Sequence, residues 1–443
     1  MDSVKLSARI AGPCLLLFAQ LVLSEPAVQS LESAQRLPEP LTLEFALSLA
    51  DENHPALALR RAELTRSRAL QKAVEAEYGW NAELEARLRA VDPSYKATNS
   101  TNNDSSVKLR LHKRLYDFGR TEAAQQAADA DYRSQEWHYL DARQQHRLDI
   151  LRNYFDVLLA DLQYIRDNES MTMGFLHWDK AKERSEMGQL SDIEVLEKES
   201  IFQQRRRAWQ QSQNLQRASR QRLAISLNRP TQLSSTLAEP ALSLKRELPD
   251  VETLTERALE ENPMLKAQRA QVNAAQARVE SARSSDAPVV YAEIQAAVYN
   301  RTTSTRDPFS AGLLIEVPLF KSGRNAELAK GRADLHHYQA LLSEAELDIR
   351  QAVLDLWLEI KGLQAQQEEM RALGAYRDLY IDRSRALYEL EVKSDLGDAE
   401  TRISDYRLQK AATDYELAMA WARLDALLGR LITPEARAEE GEG

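Results

Sequence analysis

The chain has 443 residues, a formal net charge of −10, 28% charged residues and only 7% aromatic residues. Its mean hydropathy of −0.51 excludes a protein built from several membrane-spanning helices, although the alternating strands of a β-barrel would look only half apolar. The acidic balance argues against a nucleic-acid binder, because a phosphate-binding surface needs a basic field. Glycine and proline number 14 each among many alanine, glutamine, arginine, glutamate and leucine residues, which favours helices.

The first 30 residues are typical of a secretory signal peptide. Lys5 and Arg9 form a basic start, the apolar run 13–23 follows, and small residues come after it. The apolar run is too short for a spanning helix; the alternative is a frayed N-terminal helix. Cys14 is the sole cysteine and precedes most of the apolar run, so we expect no lipid attachment there and a mature chain without disulfides.

The next part of the chain predicts two helices and a strand hairpin. Asn53 and Pro55 separate the helices, because asparagine caps a helix well and proline suits its first turn. Apolar and charged residues then alternate with a period of two on both sides of a polar loop, which predicts two strands with one apolar and one charged face. The predicted elements are helices at 41–52 and about 53–78, strands at 81–91 and from 107 onward, and a loop at 92–106.

A very long helix follows the hairpin. From 121 to about 187 there is no proline, and about 67 helical residues would span roughly 100 Å. Gly188, Ser191 and Asp192 then predict a turn, and the chain returns as a helix at 193–228.

The second half of the chain repeats this order. Leu115–Arg120 and Pro318–Arg324 both close a strand and open a long helix, and their glycines, Gly119 and Gly323, lie 204 residues apart. The predicted elements of this half are a helix at 251–285, strands at 289–299 and 311–319, a long helix at 325–390, a turn at 391–398 and a return helix to 431. The domains are a signal peptide (1–30), a first repeat (31–230), a linker (231–250), a second repeat (251–431) and a disordered acidic tail (432–443).

The four amphipathic strands allow two interpretations. If they span a bilayer, several copies must pool their strands, because four strands cannot close a barrel and no edge is left unpaired in lipid. The alternative is a soluble sheet capped by helices. Similarly, the alanine-rich long helices fit either a closed ring around a lumen or an antiparallel coiled-coil rod.

The residue types that carry catalysis do not form a recognisable set. The sequence has no Ser–His–Asp arrangement, phosphate-binding loop, zinc-protease motif or paired cysteines. His336 and His337 are adjacent and therefore point apart on a helix. We expect no enzymatic activity, no cofactor and no metal site.

The order helix, strand, strand, long helix, return helix, given twice, resembles the TolC-like outer-membrane efflux proteins. The resemblance covers residues 41–431. The segments that carry it are the helix starts Asn53–Pro55 and Asn262-Pro263, the strand ends Leu115–Arg120 and Val317–Arg324, and the turns Met187–Leu196 and Tyr388–Asp398.

This resemblance implies an α/β membrane protein with duplicated long helical hairpins and four β-strands per chain. Three copies would form a twelve-stranded outer-membrane β-barrel on a periplasmic α-helical barrel. The implied function is the exit duct of a tripartite efflux pump or a type I secretion system, exporting small molecules (drugs, metals) or proteins. The implied partners are a periplasmic adaptor, an inner-membrane transporter of the RND, ABC or MFS type and outer-membrane lipid, with no nucleic acid. The alternative is a soluble periplasmic coiled-coil scaffold.

The resemblance also places a gate and an adaptor-docking tip at the two helical turns. The second turn departs from the family pattern, since Glu391 replaces a glycine and Gly397 stands where an aspartate is common. Its acidic residues would form either a cation-binding ring or a simply solvated turn. The tip residues are Gly188, Ser191, Asp192, Tyr388, Asp395, Asp398 and Glu400.

Two further groups are predicted from their places beside the strands. Gly119 and Gly323 would allow the sharp strand-to-helix turn, while Arg120 and Arg324 would either fix that joint or contact lipid headgroups. A mildly basic barrel lumen, or merely a wetted wall, would present Arg87, Arg89, Lys108, Arg110 and Glu293.

Overall fold

The structure, a computed structural model, describes residues 37–51, 54–95, 97, 99–232, 235–319, 323–390 and 396–431. The predicted signal peptide, the predicted acidic tail and Asp395 lie outside these residues. The compact unit considered below begins at Pro38. In the ranges just given, none of the helices has the length and apolar character needed to cross a membrane.

The two halves of the chain contain the same order of long elements, as predicted. In the first half these are α1 (Leu43–Ser48), α2 (Pro55–Ala76), β1 (Trp80–Arg87), β2 (Ser106–Tyr116), α3 (Arg120–Glu186) and α4 (Asp192–Ser226). In the second half they are α5 (Val251–Glu261), α6 (Pro263–Arg283), β3 (Val289–Tyr299), β4 (Phe309–Glu316), α7 (Arg324–Glu389) and α8 (Leu396–Leu427).

The prediction of a single helix at 251–285 is wrong, because the chain forms two helices there. Asn262 has a non-helical ψ of 125°, and its side chain accepts a hydrogen bond from the Leu265 N–H at 3.1 Å. Pro263 follows and has no N–H to continue the preceding helix. An asparagine cap followed by proline therefore ends α5 and starts α6 at the same point.

The strand boundaries also differ from the prediction. β1 ends at Arg87 instead of continuing to 91, because its pairing with β2 stops at Ser106. Beyond it, only an isolated bridge joins Ala90 to Asn103. β4 begins at Phe309, two residues before the predicted start.

The four strands form one antiparallel sheet in the order β1-β2-β3-β4. The β2–β3 pair joins the two halves of the chain, and β1 and β4 form the edges. In this register Leu111 lies opposite Ile294, which in turn lies opposite Ala311. Because side chains alternate between faces, the register collects the apolar residues on one side.

Helix α3 is the element around which the others pack. The first part of α3 contacts α6, and Gln271 of α6 bonds to Ser134 of α3 at 3.0 Å. The second part of α3 contacts α4. α4 and α6 therefore follow one another along α3. α3 also contacts α2 and α8, and Phe155 of α3 stacks on Tyr415 of α8 with ring centroids 4.6 Å apart.

A buried tyrosine fixes the segments that precede α1 and follow α4. The Tyr154 hydroxyl lies 2.8 Å from the Leu41 carbonyl oxygen and 2.6 Å from that of Ala238, and Leu41 bridges to Leu237. Tyr154 is fully buried. Burial raises the pKa of this phenol from 10.0 to about 12. The hydroxyl is thus held in its neutral, donating form.

We predict that Tyr154→Phe destabilises the protein by about 1–3 kcal/mol, because the Leu41 and Ala238 carbonyls lose the one hydroxyl proton that they share. The wild type should lose stability as the pH rises from 10 toward 12, since the folded state disfavours the phenolate. The variant should lack that part of the alkaline loss. Thermal melts of the helical circular dichroism signal in detergent, at pH 8 to 12, measure both effects. Tyr95→Phe, at a side chain that is 91% exposed, is the control, and equal melting of all three proteins would contradict the prediction.

Candidate functional site

One face of the sheet is apolar and exposed, apart from Lys113, which lies beside Trp80 at one end of the face. Leu84 is 72% exposed and Val298 is 75% exposed, and the register places both on the same side as Leu109. A contiguous exposed apolar surface marks contact with a membrane or another protein. The large apolar side chains of this face are Trp80, Leu84, Val107, Leu109, Leu111, Ile294, Val298, Phe309, Leu313 and Ile315.

The opposite face of the sheet is charged. Arg110 lies across from Glu83 and forms ion pairs with Glu83 at 3.7 Å and with Glu293 at 3.3 Å. Lys108 lies across from Glu85, and Arg87 contacts Glu85 at 2.6 Å. Four of the five predicted lumen residues therefore share this face.

The charges on this face balance. The register adds Arg114 and Glu316 to it, which brings the total to four basic and four acidic side chains, apart from His112. The predicted residues alone suggested a mildly basic face, but the complete face is neutral. Arg89 does not belong to it, because β1 ends at Arg87 and Arg89 lies in the following loop.

That loop is joined to the β3–β4 loop by a buried carboxylate. The Asp104 side chain is 3% exposed and forms ion pairs with Arg306 at 2.6 Å and with Arg89 at 3.6 Å. The hydrogen bond from Arg306 lowers the pKa of Asp104 below its usual value. Asn99 adds a bond to the Thr302 carbonyl at 3.2 Å. We refer to these contacts as the loop clasp; its partners lie 202 residues apart, so no sequence pattern indicated it.

The two strand-to-helix joints use left-handed glycines. Gly119 and Gly323 have φ values of +85° and +92° and directly precede α3 and α7. In the first joint, the buried Asp117 carboxylate accepts hydrogen bonds from the N–H and the hydroxyl of Thr121 and lies 3.5 Å from Arg114. This carboxylate caps α3 where glycine has no side chain to do so.

The two arginines predicted at these joints have different environments. Arg324 contacts Asp286 at 2.8 Å, in the turn that leads from α6 to β3. This contact favours a role in the joint over one with lipid headgroups. The Arg120 carbonyl accepts a hydrogen bond from Ser281 of α6 at 3.2 Å, and its side chain lines a cavity of about 510 Å³ between α2, α3, α6 and α7.

The turn between α3 and α4 is held by local hydrogen bonds. Gly188 has a φ of +71° and ends the turn after α3. Ser191 and Glu194 form a reciprocal cap, in which the Ser191 N–H donates to the Glu194 carboxylate at 2.9 Å. That bond lowers the pKa of Glu194. Asp192 is the first residue of α4, where the helix dipole favours a negative charge.

At the second turn, Tyr388 and Glu400 are exposed, and Asp398 lies in the first turn of α8. Gly397 lies directly against Met173 of α3, since a Cβ at this position would fall 2.2 Å from the Met173 sulfur. A larger residue at this position would require the flexible Met173 side chain to move. In the described part of the chain, His, Cys, Asp and Glu form no group of three suited to a metal ion.

The comparisons with known proteins agree with this architecture. Residues 254–430 match the family model described as outer membrane efflux protein. Protein CyaE of Bordetella pertussis is 26% identical over 344 residues, which are 76% of this chain and 72% of that protein. The fold is similar to the Campylobacter jejuni CmeC outer membrane channel (TM-score 0.71, 14% identity, 90% of this chain and 89% of that chain). It is also similar to the outer membrane protein VceC of Vibrio cholerae (TM-score 0.68, 17% identity, 87% of this chain and 96% of that chain).

The fold of the chain is therefore shared with solved outer-membrane channels, and residues 254–430 match the outer membrane efflux protein family. The predicted resemblance to the TolC-like outer-membrane efflux proteins is confirmed, and with it the long helices and the four antiparallel strands per chain. The predicted location in the outer membrane agrees with the family match and with the channels that share the fold.

We predict that Asp104→Asn loosens the loop clasp, because Arg306 and Arg89 lose their shared carboxylate. Trypsin should then cleave after Arg301 and Arg306 several-fold faster in the detergent-solubilised protein. Asp92→Asn removes an exposed carboxylate from the β1–β2 loop, away from both cleavage sites, and should leave the rate unchanged. Equal cleavage rates in the two variants would contradict a stabilising role of Asp104.

Proposed function

We propose that three copies of this chain close into a duct that releases cargo outside the cell. The observation that carries the proposal is the sheet, which has two open edges and an exposed apolar face. A chain with only four strands leaves both edges unpaired, and lipid does not tolerate unpaired backbone groups. β1 and β4 run in opposite directions, so β4 of one copy lies antiparallel to β1 of the next when the ring closes.

In this arrangement the apolar face contacts lipid and the charged face lines a water-filled passage. The reverse orientation would place eight charged side chains per copy against hydrocarbon, which costs several kcal/mol for each charge near the bilayer centre. A soluble coiled-coil scaffold, the alternative function, gives no role to an exposed apolar face of this extent.

The helical turns are the proposed contact with the rest of the export machine. A periplasmic adaptor and an inner-membrane transporter of the RND, ABC or MFS type would dock at the tips formed by Gly188, Ser191 and Asp192 and by Tyr388, Asp395, Asp398 and Glu400. The chain itself performs no chemistry, and the transporter supplies the energy. Small molecules, such as drugs or metals, and proteins are the proposed classes of cargo.

Conductance in planar lipid bilayers tests the duct directly. We expect discrete channel steps from the purified protein, and we expect Arg110→Glu to make the channel prefer cations, because it shifts the neutral face by two negative charges per copy. Arg110→Lys keeps the charge and should keep the wild-type selectivity. A protein that remains in the aqueous phase without conducting would overturn the proposal.

The acidic tip is tested by changing Asp395, Asp398 and Glu400 to alanine together. If symmetry brings these carboxylates together at a gate, the triple variant should open less often, because the repulsion that destabilises the closed gate is removed. The paired substitution of Glu368 and Glu369, which are exposed on α7 away from the turn, is the matched control. Steps identical to the wild type in both variants would place the gate elsewhere.

A further inference from the structure

One histidine lies on the charged face of the sheet, beside the balanced set of acidic and basic side chains. His112 belongs to β2, and the register places it directly opposite Asn81 of β1 and Glu293 of β3. Because side chains alternate between faces, Arg110 and Arg114 are its neighbours along the same strand on this face. The histidine is half-buried in this row of polar side chains.

The charges that surround His112 already compensate one another. Each of the two neighbouring arginines of β2 contacts two carboxylates. These carboxylates are Glu83 at 3.7 Å and Glu293 at 3.3 Å from Arg110, and Glu77 at 3.1 Å and Asp117 at 3.5 Å from Arg114. The other titratable neighbour is Tyr291 of β3, which lies opposite Arg114. A positive charge on His112 would therefore be added to a neutral surrounding.

Among the side chains that the register places on this face, histidine is the type that changes its charge between pH 8 and about pH 5.5. Glutamate stays ionised in this range, lysine and arginine stay protonated, and tyrosine stays neutral. The Nδ1 atom of His112 is buried and has no hydrogen-bond partner among the described residues, so no contact fixes the ring in one form. Protonation of His112 would give the face one net positive charge per copy.

The internal repeat has a permanent acid at the equivalent position. A shift of 204 residues relates Gly119 to Gly323, the left-handed glycines that precede α3 and α7. The same shift relates His112 of β2 to Glu316 of β4, which is exposed on the same charged face. The charge at this position is thus constant in the second repeat and depends on pH in the first.

We propose that His112 makes the ion selectivity of the passage depend on pH. This proposal rests on the proposed duct, in which rotational symmetry places the His112 side chains of all copies at one level of the passage. Near pH 8 the wall is neutral and does not discriminate by charge. Under acidic conditions the imidazolium groups raise the local concentration of anions, so the passage favours anionic solutes over cationic ones.

Planar-bilayer recordings across a potassium chloride gradient test this role, because the reversal potential gives the permeability ratio of chloride to potassium. The dilute side should hold about 0.1 M salt, where the Debye length is about 10 Å. Between pH 8 and about pH 5.5, we expect this ratio to rise several-fold in the wild type. We expect His112→Asn to lose this rise.

Two further variants separate the titration of the histidine from the effect of wall charge. His112→Lys and Glu316→Gln each add one positive charge per copy at pH 8, so both should raise the chloride-to-potassium ratio already at that pH. His336→Asn is the matched control at an exposed histidine of α7, outside the sheet, and should respond to pH as the wild type does.

The possible failures of this inference and of the duct are distinguishable. Channel steps whose selectivity is independent of pH, or a pH response that His112→Asn retains in full, would overturn the role of His112 and leave the duct intact. An unchanged ratio in His112→Lys would do the same, because wall charge would then not set the selectivity. A protein without channel steps at either pH would overturn the proposed duct itself.

Discussion

The structure depends on one unmet requirement of its backbone. A four-stranded antiparallel sheet has two edges, and each edge presents a row of N–H and C=O groups that need partners. Natural sheets protect their edges with charges, prolines or covering elements, whereas β4 presents Leu313, Leu314 and Ile315 on and beside its edge. In the proposed assembly, the backbone groups of this edge pair with an edge strand of another copy.

The long helices of the two repeats also differ in how completely other helices of the chain cover them. Helix α3 packs against α2, α4, α6 and α8, whereas the main contacts of its equivalent in the second repeat, α7, are with α5, α6 and α8 among the described helices. Within one chain, neighbouring helices therefore cover the long helix of the first repeat on more sides than the long helix of the second repeat. In the proposed assembly, other copies of the chain complete both the sheet and the second repeat through rotational symmetry.

Much of this fold could be predicted from the sequence, because its signals are local. The period-two strands, the long proline-free helices and the glycines before α3 and α7 each depend on neighbouring residues, and their ends lie within a few residues of the prediction. The break at Asn262 is also locally encoded, by an asparagine cap followed by proline. This pair was recognised as a helix start, but the helical pattern on its two sides was assigned to one helix.

The contacts that sequence reasoning missed are those between distant segments. Asp104 meets Arg306 across 202 residues, and Tyr154 reaches the Leu41 carbonyl across 113 residues. Gly397 departs from the family pattern, and its contact with Met173 of α3 was not indicated by the sequence. Assignment of Arg89 to the charged face failed because the length of β1 depends on its partner strand. Period, spacing and motif contain no information on such pairings.

The neutral, ion-paired wall of the sheet has a consequence for discrimination between cargo molecules. Charges of opposite sign set across neighbouring strands cancel at distances greater than their own separation, and physiological salt screens the remainder within about 8 Å. The electrostatic potential along the axis of a wide passage lined in this way stays close to that of the surrounding solution. Such a wall neither concentrates nor repels ions. In the proposed duct, cargo would therefore be selected before it reaches the sheet, by the inner-membrane transporter that loads the duct.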